Sequence, residues 1–299
     1  FCGVYGHKPT YGVVPMDGHA LPGADAAPDL AVVGPMARSA DDLRLSMELV
    51  AGPDALNEPG WRVELPEAPK RSWSDYRVAV WADDEQCPVS SAVSDRVQEV
   101  ADQLARLGAR VSDSARPAFQ AAHSHDVYMR MLNGQLSVAL PDAIFQGMMD
   151  GAKGLDPADT SQAALALRGT VQPHRDWVAA TQQRARLRKA WNAFFADWDI
   201  LLCPQMPTTA FPHDHSGIQG RSLDVDGRSQ SYLGQLFWAG LITVAYLPST
   251  VFPTGLAADG LPIGLQAVSA EFQDFSCIEF ARALGQERGG FVAPPGYDD

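Results

Sequence analysis

The feature that most constrains the fold is a strand, a helix and a second strand within residues 77–111. Residues 77–82, RVAVWA, alternate in the way that predicts a strand. The helix is predicted over residues 91–107, where apolar side chains recur at helical spacing, and Gly108 then ends it before a second strand begins. Two strands joined by a crossover helix through short links pair in parallel, so this pattern predicts a parallel sheet and the α/β class.

Further helices and strands are predicted on both sides of this unit. Ser39, with Asp42 three residues later, is typical of a capping box at the start of a helix, which Gly52 ends. The region 140–171 is rich in Ala and Gly and stays ambiguous. The other predicted helices cover residues 119–135, 174–198, 232–241 and 274–284, and the predicted strands or extended runs cover residues 199–204, 244–253 and 263–268.

Composition excludes several classes of protein. The 299 residues are 46% hydrophobic and 20% charged, which is typical of a globular protein and not of a disordered one. The formal net charge of −13 argues against a broad nucleic-acid surface, which needs clustered Lys and Arg. No apolar run approaches the roughly eighteen residues that a membrane span needs. The four cysteines contain no C-x-x-C pair, which favours reduced thiols and a cytoplasmic location.

The common catalytic motifs are missing from the sequence, which has no G-x-S-x-G elbow, no G-x-G-x-x-G loop and no P-loop. Two His-x-His pairs remain. His123 and His125 lie in a predicted helix, where positions two apart differ by roughly 200° around the axis, so their rings diverge. His213 and His215 lie in a predicted loop. Exposure to solvent is the favoured interpretation of this second pair, and a metal hydrolase built on it is the alternative.

Several segments, taken in order, carry a resemblance to a known family. They are FCGVYGHKPTYGVVP (1–15), VVGPMARSADDLRLSMELVAGPD (32–54), DILLCPQMPTTAF (199–211), YLPSTVFPTG (246–255) and GLPIGLQAV (260–268). They closely resemble the amidase signature enzymes, and the likeness covers nearly the whole chain. The resemblance implies an α/β fold with a mixed, largely parallel sheet that is flanked by helices on both faces and incomplete at its N-terminal side.

The same resemblance implies a single amidase domain, of which residues 1–299 are the C-terminal part. Residues 1–56 correspond to the block that follows the nucleophile in the family. Residues 57–198 correspond to a variable region around the substrate pocket. Residues 199–299 correspond to the C-terminal strands and helices of the sheet.

In that family the nucleophile is a serine within a G-G-S-x-R-x-P-A stretch. A second serine, preceded by a cis peptide bond, and a neutral lysine relay its proton, which requires desolvation to lower the pKa of the lysine. The resemblance places all three groups upstream of Phe1, so it implies no catalytic residue within this sequence, no metal and no organic cofactor. Lys8, in the K-P-T of the first block, is interpreted as a structural cation in preference to a base.

The resemblance assigns one wall of the substrate pocket to this chain. The loop after the strand at 199–204 would line the acyl side of the site, and Gln205 departs there from the commoner P-T-x-P form. Packing in the hydrophobic core is the alternative interpretation for each of these side chains. The predicted substrate-binding residues are Tyr128, Met131, Cys203, Gln205, Met206, Thr208 and Trp238.

The function implied by the resemblance is hydrolysis of a small carboxylic amide to an acid and ammonia or an amine. The chain itself is expected to be inactive without the residues upstream of Phe1. A non-catalytic homologue or subunit that binds a small molecule or a protein is the alternative. A transfer-RNA substrate is the least expected, because of the acidic balance and the departure at Gln205. The expected partner is a small-molecule amide, with no nucleic acid and no membrane, and a homodimer stays open.

Overall fold

The computed structural model describes residues 1–19, 26–69 and 72–297. Its strands are β1 (Tyr5–Lys8), β2 (Met36–Ala37), β3 (Arg77–Val80), β4 (Arg110–Ser112), β5 (Ile200–Pro204), β6 (Ser222–Val225), β7 (Arg228–Ser231), β8 (Ser249–Leu256) and β9 (Pro262–Val268). In this part of the chain, one seven-stranded sheet has the order β2-β1-β8-β9-β5-β3-β4. The strands β6 and β7 form a separate hairpin.

Eight α-helices are found among the described residues, and four of them follow one another between β4 and β5. The eight helices are α1 (Ala40–Val50), α2 (Ser91–Arg106), α3 (Ala121–Leu136), α4 (Asp142–Ala152), α5 (Gln162–Thr170), α6 (His174–Asp197), α7 (Leu236–Thr243) and α8 (Asp274–Arg288). Short 3₁₀ turns lie at Trp73–Asp75, Ser137–Ala139, Ile218–Gly220 and Tyr232–Gln235. None of the helices described combines the length and the apolar character needed to cross a bilayer.

The strand directions confirm a mixed, largely parallel sheet. Strands β2, β8, β5, β3 and β4 run one way, and β1 and β9 run the other way. Parallel pairing is found where β3 contacts β4 and β5, and the two reversed strands make the remaining pairings antiparallel. The predicted strand-helix-strand unit is therefore confirmed as β3-α2-β4, with Gly108 in the left-handed conformation at φ 102°.

The two faces of the sheet are covered by different helices. On one face, Tyr5, Val78 and Leu265 pack with buried side chains of α1, α2 and α8. On the other face, Leu201 and Val268 pack with aromatic side chains of α6 and α7. A further cluster joins α3, α5 and α6 outside α7. These layers confirm the expected helices on both sides of an α/β sheet.

Local predictions and the structure differ in three places. The opening segment, for which no strand was predicted, contains β1, in which the buried Tyr5 and His7 alternate with half-buried residues. The ambiguous region 140–171 contains α4 and α5. The predicted extended run from residue 244 becomes a strand only at Ser249, since the helical segment ends at Thr243 and Tyr246 takes a left-handed φ of 65°.

Candidate active site

Strand β1 presents two adjacent polar side chains to opposite faces of the sheet. His7 is 3% exposed and lies on the face that α1, α2 and α8 cover. Lys8 is half-buried and lines a cleft on the face of α7. This alternation follows from the two-residue period of a strand, and it gives the two side chains different chemical surroundings.

His7 belongs to a buried hydrogen-bond network that ties the opening segment to α8. Its Nε2 lies 3.1 Å from Asp274 Oδ1, and its Nδ1 lies 2.9 Å from the hydroxyl of Thr250 on β8. Thr10 donates to the same carboxylate twice, from its backbone N–H and from its hydroxyl, both at 2.8 Å. The Thr10 hydroxyl also accepts from the N–H of Phe272 at 2.9 Å. The network therefore fixes the bend after Lys8 against the start of α8.

The protonation states in this network follow from its geometry. A carboxylate only accepts hydrogen bonds, so Nε2 of His7 carries the proton and Nδ1 accepts from Thr250. Burial lowers the pKa of His7, and the hydrogen bond to Asp274 offsets only part of that effect. Burial acts to raise the pKa of Asp274, but hydrogen bonds from His7 and Thr10 hold it below its usual value. Asp274 is therefore ionised at neutral pH beside a neutral His7.

The segment before β2 closes over β1 through a close backbone contact. The N–H of His7 donates to the carbonyl of Pro35 at 2.9 Å. A Cβ atom at Gly34 would overlap the carbonyl oxygen of His7 and crowd the ring of Pro9. Glycine at position 34 is thus required for this approach, and it places Gly34, Pro35 and the exposed Met36 at the rim of the cleft beside Lys8.

The cleft on the α7 side has a volume of about 240 Å³. Its floor is formed by Lys8 of β1, Ser249 and Val251 of β8, and Gln266 of β9, and α7 forms one wall through residues such as Ile242. Gln205, the first residue after β5, also lines it. The position at which the sequence departs from the family pattern therefore lines a cleft.

A second, smaller cleft adjoins the first and shares Gln205 and Val251 with it. It is also lined by Phe1, Met206 and Thr208. The ring of Phe1 packs edge-on against the ring of Phe211 at a centroid distance of 5.6 Å, so the start of the chain contacts the loop that follows β5. Three of the predicted wall residues, Gln205, Met206 and Thr208, therefore come together here.

The other predicted wall residues lie in the hydrophobic core. Cys203, Met131 and Trp238 are fully buried, and Tyr128 is 6% exposed. Burial raises the pKa of the Cys203 thiol strongly and that of Tyr128 to about 12, so neither group ionises near neutral pH. Tyr128 packs against Gly240 of α7, where a Cβ atom would overlap its ring. None of these four side chains lines either of the two clefts among the described residues.

Gln266 is a residue of this region that the sequence interpretation missed. Its side-chain Nε2 donates to the carbonyl of Pro204 at 2.7 Å and to that of Trp238 at 3.3 Å, and its Oε1 accepts from the hydroxyl of Ser249 at 2.8 Å. These bonds join the end of β5 to α7 and so fix the start of the loop at Gln205. The available signal was a lone amide inside the otherwise apolar strand IGLQAV, since buried polar groups need partners.

Asp274 was also missed, and its signal was weaker. Its position at the start of a predicted helix is explained by the preference for acidic residues there, so nothing in its local sequence points to a distant partner. The partners His7 and Thr10 lie more than 260 positions away along the chain. A contact of that kind becomes visible only in the folded structure.

The two histidine pairs differ in their surroundings in the part of the chain that the structure describes. His125 is buried in α3 and His123 is exposed, as their helical spacing predicts. His213 and His215 are exposed and line a groove of about 760 Å³ after Thr208, with ring centroids 6.1 Å apart. Among the described residues, no three or more His, Cys, Asp or Glu side chains are grouped to hold a metal ion.

Comparison with known proteins identifies the family. The family model described as Amidase matches residues 1–278, which include β1, the network around Asp274 and the loop after β5. The chain belongs to the Amidase family. The resemblance of the opening, central and C-terminal segments to amidase signature enzymes is therefore confirmed.

The relatives include both hydrolases and amidotransferase subunits. A glutamyl-tRNA(Gln) amidotransferase subunit of Acaryochloris marina is 27% identical over 98% of this chain and 62% of its own length. The indoleacetamide hydrolase of Bradyrhizobium japonicum is 28% identical over 97% of this chain and 59% of its own length. The crystal structure of a glutamyl-tRNA(Gln) amidotransferase subunit from Thermotoga maritima superposes with a TM-score of 0.70 at 22% identity, over 98% of this chain and 61% of that chain. The chain thus spans about three fifths of the length of these relatives.

Proposed function

We propose that this chain forms the acyl-side part of a site that hydrolyses the C–N bond of a small carboxylic amide, giving an acid and ammonia or an amine. The observation that carries the proposal is the Amidase match over residues 1–278, which begins at the segment held by the Asp274 network. Similarity to a relative named as an indoleacetamide hydrolase supports an amide substrate. The proposed location is the cytoplasm, on the grounds of the three buried free thiols.

The chemistry we propose is nucleophilic attack by a serine on the amide carbonyl. A serine hydroxyl needs a base to take its proton, and the tetrahedral intermediate needs donors for its oxyanion. The 299 residues contain no G-G-S-x-R-x-P-A stretch. The proposal therefore assigns the nucleophile to residues outside this sequence and predicts that the chain alone has no amidase activity.

The role proposed for this chain is to shape the pocket. Gln205, Met206 and Thr208 line the two clefts at the end of β5, and an unbranched methionine suits an adaptable apolar wall. Tyr128, Met131, Cys203 and Trp238 are proposed to support this wall from the core. We retain the division into residues 1–56, 57–198 and 199–299 of one amidase domain as part of the same proposal.

A second candidate function is a subunit that binds a small molecule or a protein and does not itself turn over an amide. The observation that favours it is that relatives such as the Acaryochloris marina protein are named as subunits of an amidotransferase. Sequence identity does not separate the candidates, since it is 27% to that relative and 28% to the hydrolase. A homodimer is a further proposal that a measurement of molar mass in solution would test.

The experiment compares the 299-residue chain with a form extended by whatever open reading frame precedes the codon for Phe1. Both are assayed on aryl and aliphatic amides. We expect turnover only by an extended form that encodes G-G-S-x-R, and loss of turnover when its serine is replaced by alanine. Turnover by the 299-residue chain that one Ser or Cys substitution within it abolishes would overturn the proposal. A start or stop codon directly before Phe1 would favour the second candidate.

A further inference from the structure

Lys8 is a largely enclosed cation with few partners. Its Nζ donates to the carbonyl of Pro9 at 3.0 Å. Among the described residues, no carboxylate oxygen lies within ion-pair distance of Nζ, and the nearby Asp274 is already bound by His7 and Thr10. An ammonium group in low-dielectric surroundings is costly unless it is paired. The position therefore has room for an anionic partner.

The cleft around Lys8 contains polar groups that the protein leaves available. The hydroxyl of Ser249 donates to Gln266, and the side-chain amide of Gln266 donates to two backbone carbonyls, so these donors are occupied. The side-chain amide of Gln205 makes no hydrogen bond to another described residue. The rest of the lining is largely apolar and includes Val251 and Ile242. The Lys8 cation and the Gln205 amide donor, within a lining that is otherwise largely apolar, suit a single carboxylate on a short carbon chain.

We propose that this cleft binds a free carboxylate carried by the acyl part of the amide substrate, with the Lys8 ammonium as its counter-charge and the Gln205 amide as an additional donor. This inference rests on the proposed function for the reacting amide and adds the class of substrate, a short amide with a second, ionised acid group. The volume of about 240 Å³ limits the bound part of the substrate to about ten heavy atoms, since a cavity of about 150 Å³ holds benzene.

The charges around Lys8 favour the proposal. Burial lowers the pKa of Lys8 to about 8, against the attraction of Asp274, so most of the lysine is still protonated at neutral pH. The groups of α8 that act electrostatically on Lys8 are Asp274, which stays ionised, and Cys277, whose pKa is raised to about 12 by burial. His7 is neutral. An anion that binds the ammonium form raises the pKa of Lys8, so its affinity falls as the pH rises through about 8.

The first experiment measures how fast each lysine of the 299-residue chain reacts with an acylating reagent at neutral pH, by mass spectrometry. The probes are succinamate, a monoamide with a free carboxylate, and butanamide, its neutral counterpart. We expect succinamate to slow the labelling of Lys8 and butanamide to leave it unchanged. The exposed Lys153 serves as the internal control and is expected to react equally in every sample. Equal protection of Lys8 by both probes, or by neither, would overturn the inference.

The second experiment compares variants in a direct binding measurement of succinamate by titration calorimetry or NMR. Lys8→Met is expected to weaken binding by about tenfold or more, since hydrogen bonds to a charged group are lost. Lys8→Arg keeps the charge and is expected to retain most of the affinity, and Lys153→Met is the matched surface control. If Lys8→Met does not fold, the labelling experiment and Lys8→Arg still decide the question. Full retention of binding by a folded Lys8→Met would contradict the proposal.

These outcomes also separate this inference from the proposed function. If an extended, active form hydrolyses butanamide and succinamate equally well, the result contradicts the proposed carboxylate site and supports the amidase function. If succinamate binds at Lys8 while no extended form hydrolyses any amide, the result supports the carboxylate site and contradicts the proposed function.

Discussion

The two sides of β1 differ in how completely the protein satisfies their polar groups. On the α8 side, His7 has a partner for each ring nitrogen, and the carboxylate of Asp274 accepts three hydrogen bonds. On the α7 side, Lys8 has one carbonyl partner and opens on a cleft. The sequence separation between these two side chains is one residue, so the difference comes entirely from what the fold places over each face of the sheet.

This difference assigns a separate role to each side. A fully satisfied buried network rigidifies the backbone and holds a single arrangement, so the α8 side is a support for the opening segment. A partly satisfied cation in a cleft is typical of a binding position, so the α7 side is where we propose that a ligand binds. Substitutions on the first side should change stability, and substitutions on the second should change binding.

The largest effect is expected from Asp274→Ala. The substitution leaves His7 and the N–H of Thr10 buried without their acceptor. Removing one partner from a buried charged network lowers the free energy of unfolding by about 3–5 kcal/mol. We expect a large fall in the free energy of unfolding, measured with urea. The matched control is Asp102→Ala, because Asp102 is exposed on α2 and accepts one bond from Gln98, so its loss should cost less than about 0.5 kcal/mol. Equal costs in the two variants would show that the network does not support the fold.

A smaller effect is expected from the titration of His7. In the folded chain the pKa of His7 lies below its ordinary value of 6.5, so the unfolded chain takes up the proton first as the pH falls. The contribution of the neutral His7 to the free energy of unfolding is therefore complete above pH 6.5. It is lost as the pH falls below 6.5, by up to about 1.4 kcal/mol per pH unit for one proton. We expect His7→Gln to have a shallower loss between pH 6.5 and the acid range than the unchanged protein, in urea unfolding at a series of pH values.

The control for this titration must keep the other histidines in place. His125 is also buried with a lowered pKa. It therefore adds the same loss of stability at low pH in every variant, and this loss cancels in the comparison. His213→Gln changes an exposed loop residue and is expected to leave the slope as it was. If His7→Gln and His213→Gln give the same slope as the unchanged protein, then His7 is not held neutral by the fold.

The helices and strands that were predicted correctly are those determined by residues close to one another along the chain. The unit β3-α2-β4 follows from apolar spacing and Gly108, and the start of α1 follows from Ser39, whose hydroxyl accepts from the N–H of Asp42 at 3.0 Å as a capping residue should. Both signals lie within a few residues of the structure they determine. The element that escaped prediction in the opening segment is β1, because its pairing partner β8 lies more than 240 residues away.

In the candidate site, too, the contacts between residues far apart along the chain were the ones that could not be predicted. The family resemblance led to the loop after β5, and Gln205, Met206 and Thr208 do line clefts. The resemblance could not separate Cys203 from these three residues, because the chain passes from the buried strand β5 to the loop within one or two residues. Asp274 and Gln266 act through contacts with distant strands and helices. The local sequence marks Gln266 only as a lone amide in an apolar strand, and it does not distinguish Asp274 from an ordinary helix start.

The smallest effect on stability, and the sharpest probe of the open side, is expected from Met36→Ser. Met36 is 81% exposed on the edge strand β2 and lines the cleft beside Lys8, so removing it takes little from the core and should change the free energy of unfolding by less than about 0.5 kcal/mol. Exposed apolar surface that is continuous with a cleft binds hydrophobic dyes, so dye fluorescence should fall. Leu56 is 94% exposed away from this cleft, and Leu56→Ser is expected to change the fluorescence less. An equal decrease in both variants would mean that the α7 side of β1 is no more open to ligands than the rest of the surface.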